Sequence, residues 1–201
     1  MTVVYLIRHG QNDYVEQEKL AGWLPGVHLN NVGREQAVRV ADALKSSKFQ
    51  AVYSSPLERA AETAEAIAAA QGLEVVSLAG LGEINIGRWQ GLSLRAARRR
   101  KLWPTIQHTP SLARFPEGES FLEAQSRIVD TLETIRPNHS GAIACVSHAD
   151  PIKLAIAHYV GMPIDSFQRL EIGPSSISEL IIKDGSARLI RLNVILQPPP
   201  P

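Results

Sequence analysis

The stretch MTVVYLIRHGQND, residues 1–13, carries an apolar run from Val3 to Ile7 that ends abruptly in Arg8-His9-Gly10. An unbroken run of β-branched, aromatic and aliphatic side chains, bounded by charge and glycine, predicts a buried strand. Arginine and histidine are costly to bury without partners, so the pair either marks where the chain surfaces or belongs to a polar site. The rest of the chain bears on that choice, because it places further polar residues just after other strands.

AVYSS, residues 51–55, repeats the pattern, and Pro56 suits the first turn of the helix that follows, LERAAETAEAIAAAQG, closed by Gly72. EVVSL (74–78) suggests a third strand, and AIACVSH (142–148) a fourth, followed by a helix over about 151–160. Ala37, Val40, Ala41 and Leu44 recur at helical spacing and predict a helix over 34–46; a second amphipathic pattern covers 120–135 and stops near Pro137. Between Gly80 and Gly118 the chain is irregular and rich in Trp, Pro and Arg, with one short helix around Ser93 to Lys101. In SISELIIKDGSARLIRLNVI two β-rich runs flank Asp184-Gly185, a strong hairpin signal.

Strands alternating with helices predict an α/β three-layer sandwich: a mainly parallel central sheet, an antiparallel edge hairpin, and helices on both faces. Such sheets bind ligands beyond the carboxyl ends of their strands. The chain has 201 residues, which suits one domain over 1–195 and a proline-rich tail over 196–201 read as extended or disordered. Lys plus Arg number 21 against 20 for Asp plus Glu, so no global field recruits nucleic acid or an anionic membrane. The single cysteine, Cys145, cannot form an internal disulfide, and no apolar run approaches the roughly 20 residues of a membrane span. Together these predict a soluble, cytoplasmic protein; a homodimer is left open.

Mapped onto this frame, Arg8 and His9 follow the first strand, Ser54, Ser55 and Arg59 the second, and Ser147 and His148 the fourth. All lie at carboxyl ends, where sheet topology can gather two arginines and two histidines around one pocket beside helix N-termini. Phosphate suits such a pocket, since a guanidinium matches its oxygens and stays protonated.

The segments LIRHG, SSPLERAAETA, EINIGRWQG and VSHAD, in this order and spacing, resemble the histidine phosphatase superfamily, the phosphoglycerate mutase-like group, over nearly the whole chain. The resemblance implies that His9 is the nucleophile that becomes phosphorylated. It also implies that Arg8, Arg59 and His148 hold phosphoryl oxygens and that Glu83 is the proton donor. GVHLNNVGREQA resembles another family segment, with Asn30 where Thr is usual; Gln11, Asn12 and Asp13 depart from the usual Glu-Thr or Glu-Ser, and Val15 stands where an Asn often falls. Asn12 retains an amide for a phosphate contact.

The chemistry fits these residue types. A neutral imidazole can attack phosphorus and divide hydrolysis into two displacements, arginines stabilise the transferring charge, and a carboxyl can protonate the leaving oxygen and then activate water. The arginines and a bound phosphate push the pKa of His9 in opposite directions. Gly10 would let the backbone turn sharply and phosphate come close. No metal or other cofactor is required, and His148-Ala149-Asp150 lacks the spaced His or Cys cluster of a metal site.

The leading expectation is a phosphomonoester hydrolase acting on a small metabolite, with a cofactor-primed phosphomutase as the alternative. Mutases of the family it resembles tend to carry a larger insertion between these positions, so by that resemblance the comparatively short interval from Glu83 to His148 favours the hydrolase. An inactive phosphate-binding protein is a third reading, and retention of all five expected catalytic positions argues against it. Arg95–Lys101 either lines the pocket mouth or forms a solvated face. Ser55 reads as a turn or helix-entry hydroxyl, and Trp23, Trp89 and Trp103 as pocket wall or buried packing. His28, His108, His139 and His158 have no comparable setting and read as surface or helix residues.

Overall fold

The computed structural model describes residues 1–183 and 186–196. Its strands are β1 (Thr2–Arg8), β2 (Ala51–Ser54), β3 (Val75–Ser77), β4 (Ala142–Ser147), β5 (Ile177–Lys183) and β6 (Ser186–Val194). They form one sheet in the order β3-β2-β4-β1-β5-β6. The first four are mutually parallel, while β5 runs antiparallel to both β1 and β6. The alternating α/β reading therefore holds, with the hairpin at one edge. The Asp184-Gly185 turn signal lies outside the described residues.

The helices are α1 (Asp13–Glu16), α2 (Asn31–Leu44), α3 (Glu58–Gln71), α4 (Leu94–Ala97), α5 (Trp103–His108), α6 (Phe121–Ile135) and α7 (Ala149–Tyr159). Side chains alternate across the sheet, so Leu6 and Cys145 meet Ile128, Leu132, Ile152 and Ile156 of α6 and α7 on one face. Ile7 and Val146 meet Val40, Leu44, Ala64 and Ile67 of α2 and α3 on the other. This is the three-layer arrangement expected from the sequence. A third cluster, built on Trp89, Phe115, Phe121 and Phe167, gives the irregular middle section its own apolar support. Leu196, assigned to the tail, packs against the α2–α3 side of the core, and residues 197–201 lie outside the described residues. Among the described residues no helix is long and apolar enough to cross a membrane.

Several local readings change. The helix expected from Arg34 begins at Asn31, because the Asn30 side chain accepts from the Gly33 N–H as an N-cap. Threonine caps helices by the same geometry, which accounts for the Asn-for-Thr departure. Pro56 precedes α3 rather than entering its first turn, since Leu57 is the extended N-cap residue. The helix expected over 93–101 shrinks to α4, which Ser93 caps, and α5 follows with Pro104 in its first turn.

Candidate active site

The sheet hydrogen bonds continue past the strand ends and fix the polar tips. His9 N–H donates to the Ser147 carbonyl at 3.0 Å, and Ser55 N–H to that of Val146 at 2.9 Å. From the opposite side, Arg8 N–H donates to Ser176 and Ser175 N–H donates back to the His9 carbonyl. Arg8, His9, Ser55 and Ser147 are thereby placed by backbone pairing, and His148 follows directly as the N-cap residue of α7. Arg59 arrives from the first turn of α3, and Glu83 from the loop after β3.

Gly10 has a packing role that the sequence does not reveal. A side chain there would come within 2.6 Å of the Gly33 carbonyl, and one at Gly33 within 2.0 Å of the Gln11 carbonyl. The two glycines let the first turn of α2 pack directly on the strand tip. Gly10 N–H also donates to Thr63 of α3, whose hydroxyl donates to the Arg59 carbonyl. Thr63 was legible only as part of the SSPLERAAETA segment; its link between Gly10 and Arg59 depends on tertiary packing.

His9 is buried, and its Nδ1 lies 2.7 Å from the Gly10 carbonyl. A carbonyl can only accept, so Nδ1 carries the proton and Nε2 keeps its lone pair. Burial, together with Arg59 and Arg8, holds the His9 pKa well below the ordinary histidine value, so the imidazole is neutral. The His9 and His148 rings stand edge to face, with centroids 5.1 Å apart.

Arg59 is 1% exposed and uses Nη2 on the Gly22 carbonyl, and Arg8 uses Nη1 on that of Ile172. Arg59 Nη1, Arg8 Nε and His148 Nδ1 are buried polar atoms with no hydrogen-bond partner among the described residues. Unsatisfied buried polar groups are costly, so these three atoms are suited to meet acceptors on a ligand rather than on the protein.

Glu83 Oε2 lies 3.9 Å from His148 Nδ1. Burial, reinforced by nearby Asp150 and opposed by Arg59 and Arg8, pushes its pKa up to about 7. The carboxyl thus exchanges a proton near neutrality. Its loop is tied down from three sides: Ser147 Oγ donates to the Leu81 carbonyl, Trp23 Nε1 to that of Glu83, and Arg127 of α6 to those of Gly80, Gly82 and Glu83. Sequence reading missed Arg127 and Ser147 as supports because their partners are backbone carbonyls, which leave no residue-type signature.

A cleft of about 390 Å³ opens over Arg8, His9, Arg59 and Glu83, while His148 is fully buried and is not part of its lining. Arg8, His9, Arg59, Glu83 and Asp150 line its floor side, with Asn12, Val15 and Leu20 from the 11–30 loop and Ile84, Ile86 and Leu94 from the middle section. Asn12 reaches the cleft, but its Oδ1 caps α1 by accepting from Val15 N–H, leaving only the amide nitrogen for a ligand. Trp89 is buried, Trp103 packs beside the same cluster, and Trp23 acts through its N–H, so none of the three lines the cleft. Arg95 and Arg98–Lys101 are exposed and outside the lining, which favours the solvated-face reading. His28 pairs with Glu62 and His139 with Tyr53, both away from the cleft.

Strand tips, the first turn of α3 and the loop after β3 thus bring two arginines, two histidines and a carboxyl together in an α/β fold. Residues 4–195 match the histidine phosphatase superfamily (branch 1), and the chain belongs to that family. It is 26% identical over 200 residues to phosphoserine phosphatase 1 of Hydrogenobacter thermophilus, covering 96% of this chain and 93% of that one. It is 36% identical over 156 residues to phosphoglycerate mutase-like protein 4 of Arabidopsis thaliana, covering 75% and 67%. Among solved structures it resembles the phosphoserine phosphatase of Entamoeba histolytica in complex with 3-phosphoglyceric acid. That match has a TM-score of 0.87 and 28% identity, over 96% of this chain and 98% of that one.

Proposed function

We propose that residues 1–195 act as one histidine phosphatase domain that hydrolyses small phosphate monoesters through a phosphohistidine on His9, without a metal ion. The observation that carries this reading is that Arg8 Nε, Arg59 Nη1 and His148 Nδ1, from residues grouped around a neutral His9, have no hydrogen-bond partner among the described residues. Family membership and the phosphatase relatives support it.

In the first displacement, His9 Nε2 attacks phosphorus as the ester P–O bond breaks, and Glu83 gives its proton to the departing alkoxide. Arg8, Arg59 and His148 bear the charge on the equatorial oxygens, the role a metal takes elsewhere. In the second, the Glu83 carboxylate takes a proton from water as that water attacks the phosphohistidine. The P–N bond breaks, and phosphate leaves with His9 and Glu83 restored. A cytoplasmic location belongs to the same reading and rests on the lone buried Cys145.

Release of phosphate from p-nitrophenyl phosphate in excess EDTA, abolished by His9→Ala and blocked by vanadate, is the expected result. Activity that EDTA removes would overturn metal independence, and activity that survives His9→Ala would overturn the nucleophile. The mutase-like Arabidopsis relative favours one second reading, a phosphomutase. Conversion of 3-phosphoglycerate to 2-phosphoglycerate faster than hydrolysis would establish it instead.

A further inference from the structure

Ser55 sits with His148 in a fully buried pair, its Oγ 2.8 Å from His148 Nε2. The same oxygen accepts a hydrogen bond from Leu57 N–H at 3.2 Å, as a turn hydroxyl should. A hydroxyl has one proton to donate and two lone pairs to receive. If His148 Nε2 carried the imidazole proton, Ser55 Oγ would receive two donors and its own proton, on a fully buried side chain, would meet no acceptor among the described residues. If Ser55 donates to Nε2 instead, both of its contacts are satisfied.

We infer that Ser55 is a positioning residue that fixes His148 in the Nδ1–H tautomer, so that a neutral imidazole presents a hydrogen-bond donor to the phosphoryl group. This rests on the phosphatase reading for its role and on the hydrogen-bond geometry for the tautomer. Burial and the positive charges of Arg59 and Arg8 keep His148 neutral, so it cannot supply that donor by being protonated. A neutral histidine has a donor on one nitrogen only, and in the other tautomer His148 Nδ1 would turn a lone pair on the phosphoryl oxygens. Ser55 thus decides whether His148 attracts or repels the substrate. The unpartnered state of Nδ1, 3.9 Å from Glu83 Oε2, is the geometry such a donor needs.

The test is long-range ¹H–¹⁵N correlation spectroscopy of the full ¹⁵N-labelled chain, which distinguishes protonated from unprotonated ring nitrogens. His148 is expected to show a protonated Nδ1 and an unprotonated Nε2; the reverse pattern would overturn the inference. Ser55→Ala is expected to shift His148 toward the Nε2–H form and to lower kcat/KM about tenfold, the value of one hydrogen bond. Ser55→Thr, which keeps a hydroxyl, is expected to retain Nδ1–H. A Ser55→Ala protein that keeps Nδ1–H alone, or a Ser55→Thr protein that loses it, would also overturn the inference. The spectrum of the unaltered chain needs no variant to fold. An inactive chain showing Nδ1–H would remove the phosphatase reading and leave the tautomer assignment standing.

Discussion

Arg59 and Arg127 are both largely buried guanidinium groups, and the protein treats them in opposite ways. Arg127 makes five hydrogen bonds, two to the Glu119 carboxylate and three to the carbonyls of the loop that carries Glu83. Arg59 makes one among the described residues and has no carboxylate within ion-pair distance. A buried charge that is paired and fully bonded holds structure together, whereas one left short of acceptors is held in place by the fold around it. The contrast separates an arginine that ties down the Glu83 loop from one to which the proposed function gives a ligand.

Exchanging the two arginines for alanine should separate these roles most widely. Arg59→Ala should lower kcat/KM by roughly 10³-fold, as for arginines that bear transferring phosphoryl charge, while its melting temperature stays level or rises. Arg127→Ala should lose about 2–3 kcal/mol of stability and melt about 5–10 °C lower, with a smaller loss of kcat from the loosened Glu83 loop. Steady-state kinetics beside thermal melts check both. Equal loss of stability in the two variants would erase the distinction.

Glu83 extends the comparison to a carboxyl. Its folded pKa, about 7, lies above the ordinary value of 4.5, so its contribution to stability is fully present below 4.5 and is lost as pH rises through 7. Glu83→Gln, which is never charged, should therefore be more stable than the parent at pH about 8, by about 1–3 kcal/mol, and no more stable at pH about 4.5. Melting curves at the two pH values check this, and a gain at the lower pH would contradict it. The smallest effect is expected at Asp150, whose charge helps to raise the Glu83 pKa. Asp150→Asn should move the alkaline limb of the kcat/KM profile to lower pH by about half a pH unit. A limb that stays put or moves upward would show that a group other than Glu83 sets it.

The layers, the sheet and the five central polar residues were legible because they leave marks in residue type. Apolar runs end in charge, alanines recur at helical spacing, and four segments resemble one family. What the reading did not find depends on partners distant in sequence. Gly10 meets Gly33, the Ser55 turn hydroxyl also meets His148, and Arg127 meets carbonyls some 45 residues away. The Asn30 cap was readable in principle, since Asn followed by a helical pattern is a start signal. The α4–α5 region escaped because its short helices depend on the Trp89–Phe167 cluster rather than on a periodic face of their own.

One consequence concerns the order in which the fold can form. His9 directly follows the first strand, yet its amide is held by Ser147 and its carbonyl by Ser175. Both partners lie well over a hundred residues further along the chain, and contacts of such long range form slowly. The imidazole is therefore seated only when these distant segments dock, and a chain cut before Ser175 would carry it without half of its socket.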